Sequence, residues 1–282
     1  MIPLPLRIVR RARRRISLTV HAARADSFLV SYPKSGRTWF RYVLSHYFAA
    51  VAKVDEAINL HNMFSIVPNF DLDPVRGVPS YRFTGQPGGV PKVWVSHLEY
   101  RASLFLNRPV IMMVRDPRDV IVSAYFHATR HKHRYQGTLA EFIEDQTQGV
   151  PAMCHYLNGW ARGIIGRPHF ILSYEALSAN TEADTRSALE FLGCSVDDVA
   201  LKNAVEAGKF EAMQDRERAE GIPAHDYDRN DTESLRMRRG QAGAYGEYLD
   251  AQLVDRVEAL CNAGLSVAAK KLIAATGMLL PA

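Results

Sequence analysis

Residues 27–39 constrain this chain more than any other stretch. They run from an apolar, β-rich segment through a tight turn directly into a helical pattern. Phe28 to Tyr32 supply the strand, Pro33 and Gly36 the turn, and Thr38-Trp-Phe-Arg-Tyr-Val-Leu44 opens an amphipathic helix. A helix that begins directly after a strand exposes its first N–H groups and the positive end of its dipole at one point. Such a point binds phosphate. Lys34 adds a point charge and Thr38 a hydroxyl. A surface turn with an incidental Lys-Ser-Gly is the competing reading.

The segment departs from the nucleotide P-loop pattern G-x-x-x-x-G-K-[ST]. Laid over it, the first glycine is Ser31, the lysine slot holds Arg37, and the lysine present, Lys34, sits three residues early. The form Tyr32-Pro-Lys-Ser-Gly-Arg-Thr-Trp39 resembles instead the first signature of the sulfotransferases that use 3′-phosphoadenosine 5′-phosphosulfate. That signature runs near Tyr-Pro-Lys-Ser-Gly-Thr-Thr-Trp, and Arg37 is the one departure.

A second anchor supports the resemblance. Val110 to Val114 read as an apolar strand that delivers Arg115 at its end, where Asp116 caps a helix with Pro117 just inside it. Arg115-Asp-Pro-Arg-Asp-Val-Ile-Val-Ser123 resembles the family's Arg-x-Pro-x-Asp-x-x-x-Ser, whose Arg and Ser hold the 3′-phosphate of the donor. The resemblance implies that role for Arg115 and Ser123. A guanidinium fork and a serine hydroxyl are suited to phosphate oxygens.

Weaker matches extend the resemblance over most of the body. Ser173-Tyr-Glu-Ala-Leu177 resembles a Tyr-Glu-Asp-Leu segment whose tyrosine meets adenine, which implicates Tyr174. Lys209-Phe-Glu-Ala-Met213 resembles an adenine clamp, so Phe210 would stack on the base, opposite Trp39; the usual Thr-Ser before that phenylalanine is Gly208-Lys209 here. Arg236 to Tyr245 resemble a third signature near Arg-Lys-Gly-x-x-Gly-Asp-Trp, which would set Arg238, Arg239 and Gly240 at the 3′-phosphate; its Asp-Trp is Ala244-Tyr245. The resemblance also implies that Lys34, with Ser35, Gly36, Arg37 and Thr38, holds the reacting phosphate. His97, at the end of Val93-Trp-Val-Ser-His97, occupies the place of the catalytic histidine. An imidazole is suited to removing a hydroxyl proton near neutral pH, although His61, His127, His131 and His133 compete for the role. The lysine that often precedes that histidine is absent.

Composition bounds the remainder. A chain of 282 residues with 47 % hydrophobic content can bury a full α/β core. The net charge of +5 is misleading. Removing the seven arginines that precede Asp26 from 35 basic residues leaves 28 against 30 acidic ones, so the body gives no support for nucleic-acid binding. On a helix, Leu6, Val9, Ala12, Ile16 and Val20 share one side, opposite most of those arginines. Such a segment can lie on an anionic membrane, pack on the body or remain a solvated arm. No run reaches the roughly 18 apolar residues of a membrane span, and no signal-peptide core is visible. Cys154, Cys194 and Cys261 lack metal-ligand spacing, and a reduced cytoplasmic interior is expected.

Strand patterns at Val93–Ser96, Val110–Val114 and His169–Leu172 alternate with helical patterns at Arg118–Thr129, Leu139–Asp145, Cys154–Gly163, Asn180–Leu192, Val196–Ala207 and Tyr248–Ala263. The expected fold is a single α/β domain, P-loop-like, with a mainly parallel sheet flanked by helices. It would occupy residues 26–282 behind a basic segment at 1–25. Residues 64–92 and 214–246 are expected to be irregular, and Phe64, Ile66, Phe70, Tyr81 and Phe83 to wall an acceptor pocket. The expected reaction is sulfuryl transfer, without metal, to a hydroxyl on a lipid or glycolipid, a phenol or a sugar. A small-molecule kinase using ATP and Mg²⁺ and a non-catalytic nucleotide-binding adaptor are the rivals. The kinase is disfavoured by Arg37 in the lysine slot and by the lost first glycine. No interface pattern indicates an oligomeric state.

Overall fold

The computed structural model describes residues 4–83, 90–223 and 227–281, with backbone alone at 4–12. The strands are β1 Ser27–Ser31, β2 Val93–Ser96, β3 Val110–Val114 and β4 His169–Ser173. The helices are α1 Leu4–Ala23, α2 Arg37–Val51, α3 Ala102–Phe105, α4 Pro117–Phe126, α5 Leu139–Glu144 and α6 Val150–Gly163. They continue as α7 Tyr174–Ala179, α8 Thr181–Phe191, α9 Asp198–Ala207, α10 Phe210–Glu220, α11 Ala251–Gly264 and α12 Val267–Ala274. All strand pairs are parallel, in the order β2-β1-β3-β4.

The sequence dictates this arrangement through burial. Every residue of β1, β2 and β3 is buried, as a parallel sheet covered on both faces requires. Alternate side chains feed two cores. Phe28, Val30, Trp94, Val110 and Met112 pack beneath α4, α6 and α11. Leu29, Val93, Val95, Ile111 and Met113 pack beneath α2, α8 and α9. The main chain at Pro68–Phe70 bonds Val95 on both sides, at 3.0 and 2.7 Å, and covers the exposed edge of β2.

Three expectations need correction. Residues 214–220 are helical, as part of α10; the segment is charge-dense because this short helix is solvated on most sides. Phe64, Ile66, Phe70 and Phe83 are buried in the two cores, with Tyr81 packed against both. They stabilise the body and do not line the cavity described below. On α1, Leu18 and Ala22 are the residues buried against the body, whereas Ile16 and Val20 point to solvent. Arg15 donates to Ser103 Oγ at 2.8 Å and Trp94 Nε1 donates to the His21 carbonyl at 3.0 Å, which fixes that face. The side chains of Leu6, Arg7, Val9, Arg10, Arg11 and Ala12 lie outside the described residues, as do residues 84–89 and 224–226 of the two irregular segments. Among the described residues no helix is long and apolar enough to cross a membrane.

Candidate active site

Parallel strands end on one side of the sheet, so whatever follows each strand is delivered to a common place. Lys34 follows β1 through the turn, His97 follows Ser96 of β2, Arg115 follows Val114 of β3, and Tyr174 follows Ser173 of β4. All four line one cavity of about 560 Å³, within the usual range for small-molecule sites.

The turn is held by its own geometry. Lys34 and Gly36 both adopt left-handed backbone, with φ of 74° and 91°. At Gly36 a side chain is excluded twice over, because a Cβ would also come within 2.5 Å of the Tyr174 ring. Ser35 turns inward, its hydroxyl donating to the Tyr32 carbonyl at 3.0 Å, and is the one predicted site residue whose side chain does not reach the cavity wall. Gly36, Arg37, Thr38 and Trp39 line it. Burial, followed by the charge of Arg236, pulls the Lys34 ammonium down to about 7.

At the next strand end, Asp116 caps α4 by accepting from the Arg118 N–H at 2.8 Å. Arg115 lies over the Tyr174 ring at 4.1 Å and pairs with Asp119 at 3.4 Å. Its Nε is buried without a hydrogen-bond partner. Ser123, farther along α4, lines the same wall.

Asp119 has a role that the sequence reading left unassigned, although it is the aspartate of the second motif. It accepts from the N–H groups of Gly243 and Tyr245 at 2.8 and 2.9 Å, and so fastens the loop carrying Arg238 to Gly240. Tyr245, where the family has tryptophan, supplies a ring for the Arg118 guanidinium at 4.4 Å, so this closure survives the substitution. Glu217 on α10 fastens the other end of the loop. Fully buried, it accepts from the Arg236 and Met237 N–H groups, both at 2.8 Å, and from the Tyr227 hydroxyl at 2.7 Å. Reading 214–246 as irregular hid this anchor.

Arg236 lines the cavity and donates to Thr38 Oγ1 at 3.4 Å, joining the loop to the turn after β1. Arg238 and Arg239 line it too and pair with Glu233, each at 3.1 Å. Gly240 is pressed against Phe210, where a Cβ would come within 2.1 Å of the ring, and its φ of 66° also favours glycine. Gly208, the departure before the clamp, has a comparable cause. A Cβ there would meet Val43 at 2.5 Å, and its carbonyl accepts from Trp39 Nε1 at 2.8 Å. Trp39 meets Tyr174 edge to face at 5.5 Å, and both line the cavity with Phe210.

His97 approaches from β2. Its Nδ1 is 2.7 Å from the Ser31 carbonyl, which can only accept, so the proton sits on Nδ1 and Nε2 carries the lone pair. Burial, then the charges of Arg37 and Arg41, hold its pKa well below the usual histidine value, which keeps the ring neutral near pH 7. His127 also lines the cavity, whereas His61 bonds the Glu220 carbonyl elsewhere. His131 is buried beside Tyr227, with ring centres 4.1 Å apart. Among the described residues no cluster of His, Cys, Asp and Glu could hold a metal ion.

Comparison with known proteins follows the same lines. The sulfotransferase-domain family profile matches residues 24–274. Sulfotransferase 6B1 of Pan troglodytes is 25 % identical over 264 residues, covering 89 % of this chain and 81 % of the relative. The 3-alpha-hydroxysteroid sulfotransferase of Cavia porcellus is 27 % identical over 202 residues, covering 68 % of this chain and 67 % of the relative. The crystal structure of mouse sulfotransferase SULT7A1 complexed with PAP superposes with a TM-score of 0.61 at 20 % identity, covering 88 % of each chain, and bears on the fold.

Proposed function

The chain belongs to the sulfotransferase family, and from that premise we propose how its cavity transfers a sulfuryl group from 3′-phosphoadenosine 5′-phosphosulfate to an acceptor hydroxyl. The turn N–H groups, Lys34 and Thr38 receive the 5′-phosphosulfate. Arg115, Ser123, Arg238 and Arg239 receive the 3′-phosphate, aided by the backbone at Gly240. Trp39, Tyr174 and Phe210 enclose the adenine. His97 Nε2 accepts the acceptor's proton as its oxygen attacks sulfur. The new O–S bond forms as the bond from sulfur to the bridging oxygen breaks. The electron pair remains on the phosphate of adenosine 3′,5′-bisphosphate, where the Lys34 ammonium stabilises it.

The observation that carries this reading is the neutral, Nδ1-protonated His97 on the same cavity wall as the anion-binding turn. Burial and then the arginines around it depress its basicity, and an anionic donor among those arginines offsets the second of these causes. A small-molecule acceptor agrees with the size of the cavity and with the hydroxysteroid named for one relative. Incubation with ³⁵S-labelled donor and a panel of phenols, sterols and sugars tests the reading. Label should move to at least one hydroxyl, and adenosine 3′,5′-bisphosphate should stabilise the fold more than ATP with Mg²⁺. Preferential stabilisation by ATP with Mg²⁺ and no sulfated product would overturn it.

A further inference from the structure

We propose that the acceptor is a hydroxyl compound bearing a carboxylate, and that Arg37 is the residue that receives this carboxylate. The inference deepens the sulfuryl-transfer reading and rests on it.

Arg37 opens α2 and lines the cavity together with His97. Among the described residues its side chain makes no hydrogen bond and no ion pair, and its Nε is buried without a partner. Arg37 is half-buried, with its Nε out of reach of water, and an unpaired guanidinium so placed is costly; burial, then the charge of Arg236, pulls it down to about 9. A cavity that keeps such a cation is complementary to an anion.

That anion belongs on the acceptor side. At the proposed 3′-phosphate subsite the guanidiniums are organised by acids: Arg115 by Asp119, and Arg238 and Arg239 by Glu233; the donor's 5′ end has the point charge of Lys34. The charged and titratable groups that Arg37 feels are a different set, namely Arg236, Tyr156 and Asp71. Arg41, 2 % exposed, stands behind it, with a hydrogen bond to the neutral Asn69 Oδ1 at 2.6 Å and its own Nε unpartnered. The carboxylate acting on both guanidiniums is that of Asp71, and its Oδ1 already accepts from the Asp73 N–H at 3.0 Å. One carboxylate against two guanidiniums leaves positive charge beside the base. A planar guanidinium is matched to a carboxylate fork. Arg37 thereby orients the acceptor while the proton still goes to His97 Nε2 and the leaving electron pair to the phosphate.

Matched acceptors provide the test. For hydroxybenzoate, hydroxyphenylacetate and hydroxyphenylpropionate, each compared with its primary amide, kcat/KM is measured with the full chain and with Arg37→Thr. The full chain should favour at least one acid over its amide by about 10- to 100-fold, the range of a charge-assisted hydrogen bond. In Arg37→Thr that ratio should collapse to within about threefold, and Arg37→Lys should keep part of it, as expected for a point charge in place of a fork. Preference for the amides throughout, or an acid preference unchanged in Arg37→Thr, overturns the proposal. So does a calorimetric loss of adenosine 3′,5′-bisphosphate affinity in Arg37→Thr with the acid-to-amide ratio intact, because Arg37 would then serve the donor. A chain that binds the bisphosphate and sulfates amides in preference sinks this inference alone. One that neither binds the bisphosphate nor transfers sulfate sinks the underlying reading as well.

Discussion

Two groups of cations at the cavity wall are handled in opposite ways. Around Arg115, Arg238 and Arg239 each guanidinium has a carboxylate, and Asp119 and Glu217 also bind the backbone of the loop that presents them. Around His97, Arg37 is unpaired and Arg41 leans on an amide. If the donor's 3′-phosphate binds there as proposed, these acids hold the side chains in place beforehand and binding costs little reorganisation. Beside His97 charge is left uncompensated, and that surplus is the ground for the acceptor carboxylate proposed above. In the proposed reading rigidity serves the donor, while residual charge serves the acceptor.

The comparison is tested most severely at His97. If it is the base, His97→Ala should lower kcat by about 10²–10⁴-fold while leaving the affinity for adenosine 3′,5′-bisphosphate nearly intact; a parallel loss of affinity would put the histidine on the donor side. Glu217→Gln should instead damage the donor end. Losing charge-assisted bonds to the Arg236 and Met237 N–H groups should cost roughly 2 kcal/mol and about 4–8 °C in Tm. Bisphosphate affinity should fall with it, and a variant with normal affinity would mean that the loop does not depend on this anchor. The smallest effect is in proton balance. Lys34 titrates near 7 when the cavity holds no anion, and an anionic nucleotide raises that value. Bisphosphate binding at pH 8 should therefore take up protons and weaken as pH rises through 7. Calorimetry in buffers of different ionisation enthalpy reads the uptake, which Lys34→Met should abolish.

The sequence made the strands legible with little error, because fully buried runs such as Val110–Val114 carry their own signal. The turn and its lysine were legible for a related reason: a strand, a glycine in left-handed backbone and a helix start must follow one another in the chain. Asp119 and Glu217 were harder to read. Each binds backbone far away in sequence, Asp119 to Gly243 and Tyr245 and Glu217 to Arg236 and Met237. The second motif marks Asp119 without showing what it binds, and nothing local distinguishes Glu217 from a solvated carboxylate. The apolar residues at 64–83 misled because hydrophobicity marks burial equally in a core and in a pocket wall, and here the core took them.

The sequence alone determined the strands and most of the longer helices, the turn after β1, and the residue types that stand where each strand ends. These follow from local sterics and from the burial pattern of consecutive residues. Tertiary structure alone decided which charges are paired. Parallel packing set His97 against the Ser31 carbonyl, the Arg238 loop on Asp119, and Arg37 among cations with no acid of its own. Pairing depends on which groups meet across the fold, and no property of a residue's neighbours in the chain specifies that.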